Sequence, residues 1–190
     1  EISACLVGSE MCIRDRSMAS LRERNRRLTM EHIQDVAFGL FEEKGYREVT
    51  ITEITHAAEV APSTFYRLFQ TKEGLFTALP TEDHLDLGTV RRSHLAEDIL
   101  TLIAGNEWRG LKWVIEEPDV RCAVLATLDQ LSSQLVSTLV EQGNDPLRTS
   151  VEVRSLVFGV YFTSLEHWYA AGRRESFETY FTQALESERS

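Results

Sequence analysis

Ile33, Val36, Ala37, Leu40 and Phe41 recur at i, i+3, i+4, i+7 and i+8, the stripe of an amphipathic helix that faces a core. Thr29 is placed to cap its start and Gly45 its end. A short second helix follows at Thr50-Ile51-Thr52-Glu53, where Thr50 and Glu53 have capping-box spacing and Ile51, Ile54 and Ala58 share the apolar face. Pro62 suits the first turn of a third helix, because its φ is already helical and its missing N–H would have had no partner there. In that helix, Pro62 to Phe69, the residues Phe65, Leu68 and Phe69 share one face and leave Ser63, Thr64, Tyr66 and Arg67 on the other. A tight turn at Glu59 to Ala61 separates the second and third helices, and Thr71 opens a fourth that ends near Pro80.

Beyond Pro80 the helical periods lengthen. Helices are expected at about Asp83–Ala104, Glu107–Glu117, Asp119–Glu141, Pro146–Ala171 and Arg174–Glu186, with breaks at Gly105, Pro118, Gly143 to Pro146 and Gly172. The fourth of these carries Val151, Phe158, Val160, Tyr161, Phe162, Leu165, Trp168 and Tyr169 around most of its circumference, so it is expected to be buried on several sides. The last carries Phe177, Tyr180, Phe181, Ala184 and Leu185 on one stripe. No segment alternates with period two. The expected class is all-α, with an N-terminal three-helix helix-turn-helix domain over residues 18–80 and a helical domain over 81–190.

Composition changes this picture in two places. The opening EISACLVGSEMCIRDRS has no clean periodicity and precedes a second methionine, Met18. Residues 1–17 are therefore read as a non-native tail outside the fold. The net charge of −10 argues at first against a nucleic-acid partner, but the acid is unevenly spread. Residues 18–80 hold eight Lys or Arg against nine Asp or Glu, and residues 81–190 hold ten against eighteen. Arg22, Arg24, Arg26 and Arg27 form a basic arm just before the first core helix. Cys5 and Cys12 fall in the opening segment and only Cys122 within a helical pattern, so no disulfide framework is expected. No apolar run reaches the roughly 20 residues that span a bilayer, so no membrane partner and a cytoplasmic location are expected.

The stretch from Thr50 to Phe76, TITEITHAAEVAPSTFYRLFQTKEGLF, together with Ala37, Leu40, Phe41, Gly45 and Tyr46 upstream, resembles the DNA-binding signature of the TetR family over roughly residues 21 to 79. The physical logic is visible without the family. A short helix can enter the major groove, about 12 Å wide, if its outer face is small and polar and its inner face is anchored. Ala61, Pro62, Ser63 and Thr64 make a slim leading end, and Phe65 and Phe69 anchor it. Thr64 can bond a base edge or meet a thymine methyl, while Tyr66 and Arg67 reach phosphates. The resemblance implies that Thr50 and Lys72 clamp the DNA backbone. Arg26 and Arg27 in the arm can add phosphate or minor-groove contacts. Two positions depart from the pattern: Glu59 stands where the family has glycine in the turn, and Ala61 where it commonly has serine. Both are expected to weaken non-specific binding.

For the second half the resemblance implies a homodimer built on the last two helices and a pocket for a small effector. Ser155 and Gly159 would permit close helix approach. Trp108, Trp113, Cys122, Leu125, Leu128, Phe158 and Phe162 are candidate lining residues suited to a hydrophobic ligand. His32, His56, His84, His94 and His167 are scattered, and His84 beside Asp83 and Asp86 is the nearest approach to a ligand cluster. Neither a metal nor another cofactor is expected, and no nucleophile elbow, phosphate loop or dinucleotide glycine pattern occurs. The expected function is a regulator, most simply a repressor, that binds a palindromic double-stranded operator. Its rivals are a helical ligand carrier or enzyme with a vestigial helix-turn-helix, and a protein-interaction module using the aromatic-rich long helix.

Overall fold

The computed structural model describes residues 5–77, 87–104 and 110–189. The chain forms two compact units, the first ending at Lys72 and the second beginning at Glu73. Among the described residues every regular element is helical.

In the first unit α1 spans Cys5–Lys44, α2 Ile51–Ala57 and α3 Pro62–Phe69. Helix α2 packs on α1 and α3 on α2. Ile33, Ala37, Phe41, Tyr46, Val49, Ile54, Ala58, Phe65 and Phe69 are buried. Phe41 meets Tyr46 edge-on at 5.1 Å, and Phe65 lies 5.3 Å from Phe69. Gly45, at φ 89°, ends α1 as expected, its N–H returning to the Phe41 carbonyl at 2.9 Å.

Helix α1 begins far upstream of the expected start. Thr29 is not its cap: the Thr29 hydroxyl donates to the Asn25 carbonyl in mid-helix at 2.8 Å. No proline or glycine occurs between Ser9 and Phe38, so nothing halts a helix already nucleated on the core-facing stripe. The arginine arm is therefore helical, and the same helix extends back to Cys5.

The second unit contains α4 (Gly74–Thr77), α5 (Leu95–Ala104), α6 (Leu111–Glu116), α7 (Pro118–Glu141), α8 (Pro146–Arg154), a π-helical stretch (Ser155–Phe162), α9 (Thr163–Ala170) and α10 (Phe177–Arg189). Helix α7 is its spine: Val120, Val124, Leu128, Leu131, Leu135 and Leu139 are buried at spacings of three and four. Helices α4, α6 and α8 pack against it, and α10 closes over α9 and the π-helical stretch. Arg121 bonds Glu166 at 2.5 Å, Tyr169 donates to Glu116 at 2.6 Å, and Arg154 pairs with Asp129, so polar ties cross this core at its surface.

Three expectations change here. Helix α4 is a single turn, Gly74–Thr77, starting three residues after Thr71, and its expected end at Pro80 lies outside the described residues. The expected helix starts at Asp83 and Glu107, and the cluster around His84, also lie outside them; α5 itself starts at Leu95 after two short 3-10 turns. The helix expected over Pro146–Ala171 is continuous but widens in its middle, where the Thr163 hydroxyl bonds the Phe158 carbonyl five residues back at 3.3 Å. It is also less enclosed than its composition suggests, with Val151 61% exposed.

Leu135 is fully buried in the C-terminal half of α7. Leu135→Ala should lower unfolding stability by about 2–5 kcal/mol, measured by urea denaturation followed by circular dichroism.

Candidate nucleic-acid interface

Helix α3 is held by its inner face and open on its outer one. Phe65 and Phe69 are 0% and 4% exposed, whereas Tyr66, between them, is 51% exposed. Ala61, Pro62, Ser63 and Arg67 are exposed and Thr64 is half-buried, so the sequence-predicted reading residues share one accessible surface. The Tyr66 ring stands edge-on to Phe65 at 5.9 Å, which supports its base while leaving the hydroxyl in solvent. Ala61 sits at the N-cap in extended backbone without a side-chain cap, and Pro62 follows in the first turn. Serine there would supply an acceptor for the first amides; alanine does not.

The turn before α3 adopts the conformation that its sequence resists. Glu59 has φ 54°, in the left-handed region, and its N–H bonds the His56 carbonyl at 3.2 Å. Such a conformation costs a non-glycine residue roughly 1–2 kcal/mol. Val60 N–H to Thr55 O at 3.0 Å and His32 Nε2 against the Ala58 carbonyl at 3.2 Å tie the turn down from both sides.

At the start of α2 the capping box is complete. The Thr50 hydroxyl accepts from the Glu53 N–H at 3.2 Å and donates to Glu53 Oε2 at 3.0 Å, and the Thr50 N–H donates to the same oxygen at 2.9 Å. Lys44 closes the group with a 3.0 Å bond to Glu53 Oε1. The Thr50 backbone N–H, the Lys44 ammonium and the Thr50 hydroxyl together hold the Glu53 carboxyl down from 4.5 to about 2.

Lys72 has an internal place. Its ammonium donates to the carbonyls of Tyr46 and Val49 at 2.9 and 3.1 Å and lies 4.1 Å from the centre of the Tyr46 ring. Arg26 and Arg27 sit on α1 in pairs along their own helix, with Glu23 at 3.4 Å and Glu31 at 3.7 Å. The roles of Lys44 and Tyr46 in bracing α2 carry no motif that spacing alone reveals.

With this geometry in view, residues 33–79 match the family model described as bacterial regulatory proteins, tetR family. This stretch carries the sequence pattern of that family's helix-turn-helix. It is 38% identical over 64 residues to YvkB, an uncharacterized HTH-type transcriptional regulator of Bacillus subtilis (strain 168), covering 34% of each chain. It is 33% identical over 86 residues to the HTH-type transcriptional regulator TcmR of Streptomyces glaucescens, covering 45% of this chain and 38% of that one. The match thus spans little more than a third of the length of these relatives.

In the second unit the expected ligand-lining residues occupy different settings. Trp113 is buried 6.0 Å from Phe76, Leu128 is buried in α7, and Phe162 lies beneath the Arg121 guanidinium at 4.9 Å. Leu125 and Phe158 are half-buried, and Trp108 lies outside the described residues. Cys122, expected to line a pocket, faces solvent, because it falls on the side of α7 opposite the Val120–Val124–Leu128 stripe. A groove of about 500 Å³ runs between Ser155, Gly159, Thr163 and His167 on one side and Tyr180 and Ala184 of α10 on the other. Among the described residues no His, Cys, Asp and Glu group is arranged to hold a metal, and no helix is long and apolar enough to cross a membrane.

The Glu53 shift gives the capping box a defined pH dependence. Its stabilising contribution is complete above about 4.5 and is lost as the pH falls toward about 2; a carboxyl-carbon NMR titration should place the Glu53 midpoint at that lower value, and Glu53→Gln should abolish this component. Glu59→Gly relieves the left-handed strain but loosens the unfolded chain, so stability should rise by no more than about 1 kcal/mol in thermal melts.

Proposed function

We propose that the protein is a transcriptional regulator that binds a palindromic double-stranded operator as a homodimer, represses from it, and is released when a hydrophobic small molecule occupies the second unit. The observation that carries this reading is the outer face of α3: small, polar and aromatic groups stand exposed directly opposite two buried phenylalanines, inside a TetR-family domain. Ser63 and Thr64 read base edges, Tyr66 and Arg67 reach phosphates, and Thr50, Arg26 and Arg27 add backbone contacts. The protein performs no chemistry and works in the cytoplasm on DNA and its effector.

A repeated surface supports the homodimer. Leu147, Val151, Ser155, Gly159, Thr163 and His167 follow one another at four-residue intervals, with Leu147 76% and Val151 61% exposed. Small residues in the middle of such a stripe allow a second helix close approach, and a two-fold pairing would present two reading heads to half-sites about one helical turn apart. Release requires only that the effector prefer the conformer that does not bind DNA, and operator DNA must then weaken effector binding by the same factor.

Tyr66→Ala should reduce affinity for the operator beside the protein's own gene by about tenfold or more in a mobility-shift assay, with thermal melting unchanged; equal affinity would remove Tyr66 from the contact set. At Gly159 an added Cβ meets nothing within 4 Å in the single chain. Gly159→Leu should therefore leave helicity intact yet convert the dimer to a monomer by light scattering; an unchanged dimer mass would move the interface elsewhere.

A further inference from the structure

We infer that Lys72 is a positioning residue for DNA recognition, an internal brace that fixes the turn ahead of α2, and not a phosphate clamp. An ammonium has three N–H donors. Two of them are occupied by the Tyr46 and Val49 carbonyls, and the charge rests over the Tyr46 ring. The Val49 carbonyl immediately precedes Thr50, the N-cap of α2, whose hydroxyl and N–H are both bound to Glu53. Glu53 is in turn held by Lys44 from the end of α1. The two lysines thus grip opposite ends of one short turn: Lys44 through the capping carboxylate and Lys72 through the carbonyls that enter the cap.

The geometry favours bracing over contact. The Tyr46 and Val49 carbonyls lie in the turn between α1 and α2, and a buried acceptor that loses its donor costs more than the bond itself contributes. A phosphate that drew Lys72 away would break both of these bonds and lift the ammonium off Tyr46, a residue that is 5% exposed. Lys72 acts on DNA through Thr50 and the first turn of α2.

The inference deepens the regulator reading and rests on it only for its DNA arm. Lys72→Met keeps the aliphatic stem over Tyr46 and deletes the donors, whereas Lys72→Arg keeps the charge and donors. In Lys72→Met, amide exchange at Ile54, whose N–H bonds the Thr50 carbonyl at 3.1 Å, should accelerate roughly tenfold. Operator affinity should fall by a similar factor, with the slope of log K against log salt unchanged, and Lys72→Arg should restore part of both. A phosphate contact would instead lower the slope by about 1 and leave Ile54 exchange as in the wild type. Either a reduced slope or unchanged Ile54 exchange overturns the brace. If the wild-type protein binds no operator, the regulator reading fails, and the exchange arm decides the role of Lys72 independently. If Lys72→Met is too unstable to assay, ammonium NMR of the wild-type protein decides: a Lys72 Nζ signal unchanged when operator is added supports the brace, and one shifted by a phosphate overturns it.

Discussion

An eight-residue helix is not stable by itself in water, since nucleation fixes several residues before the first hydrogen bonds form. Helix α3 persists because Phe65 and Phe69 are removed from solvent alongside Ile54, Ala58 and Phe41. Everything that faces outward on α3 depends on that anchorage. The buried rings set the rotation of the helix, and the rotation decides that Ser63, Tyr66 and Arg67 are accessible. The surrounding features hold the same element: the Thr50–Glu53 cap fixes the start of α2, the His32 bond to the Ala58 carbonyl fixes its end, and Glu59 tolerates a left-handed backbone so that α3 can leave at the required angle.

Much of this was legible in the residues because it obeys local rules. The capping box at Thr50 and Glu53, the proline opening α3, the glycine closing α1 and the strained Glu59 each depend on a few neighbouring positions, and each is found where the pattern places it. The inner and outer faces of α3 follow from the helical period alone. What was not legible depends on partners distant in sequence. The internal bonds of Lys72 span 23 and 26 residues, and the exposure of Cys122 depends on which side of α7 the other helices choose. The start of α1 was misplaced for another reason: a cap-like threonine does not begin a helix when the residues before it are themselves helix formers.

The second unit shows the same division. The α7 stripe follows from spacing, whereas the widened turns at Ser155–Phe162 do not, because a long apolar sequence suits α- and π-helical registers alike. Its polar ties lie at the rim of the core: Arg121 reaches Glu166 across 45 residues and Tyr169 reaches Glu116 across 53. Such surface ties, an ion pair and a hydrogen bond, add little stability one by one but favour one arrangement of helices over its neighbours.

The aromatic residues are also divided between the units. All three tryptophans, Trp108, Trp113 and Trp168, fall after Lys72, while the described part of the first unit has only Tyr46 and Tyr66 as phenolic chromophores. Light absorbed at the red edge of the protein spectrum is therefore captured by the second unit alone. Trp113 is buried, and the Trp168 indole N–H is bonded to the Glu175 carbonyl at 2.8 Å. Red-edge emission reports their surroundings without interference from the DNA-binding domain, giving the protein a built-in optical label confined to one half.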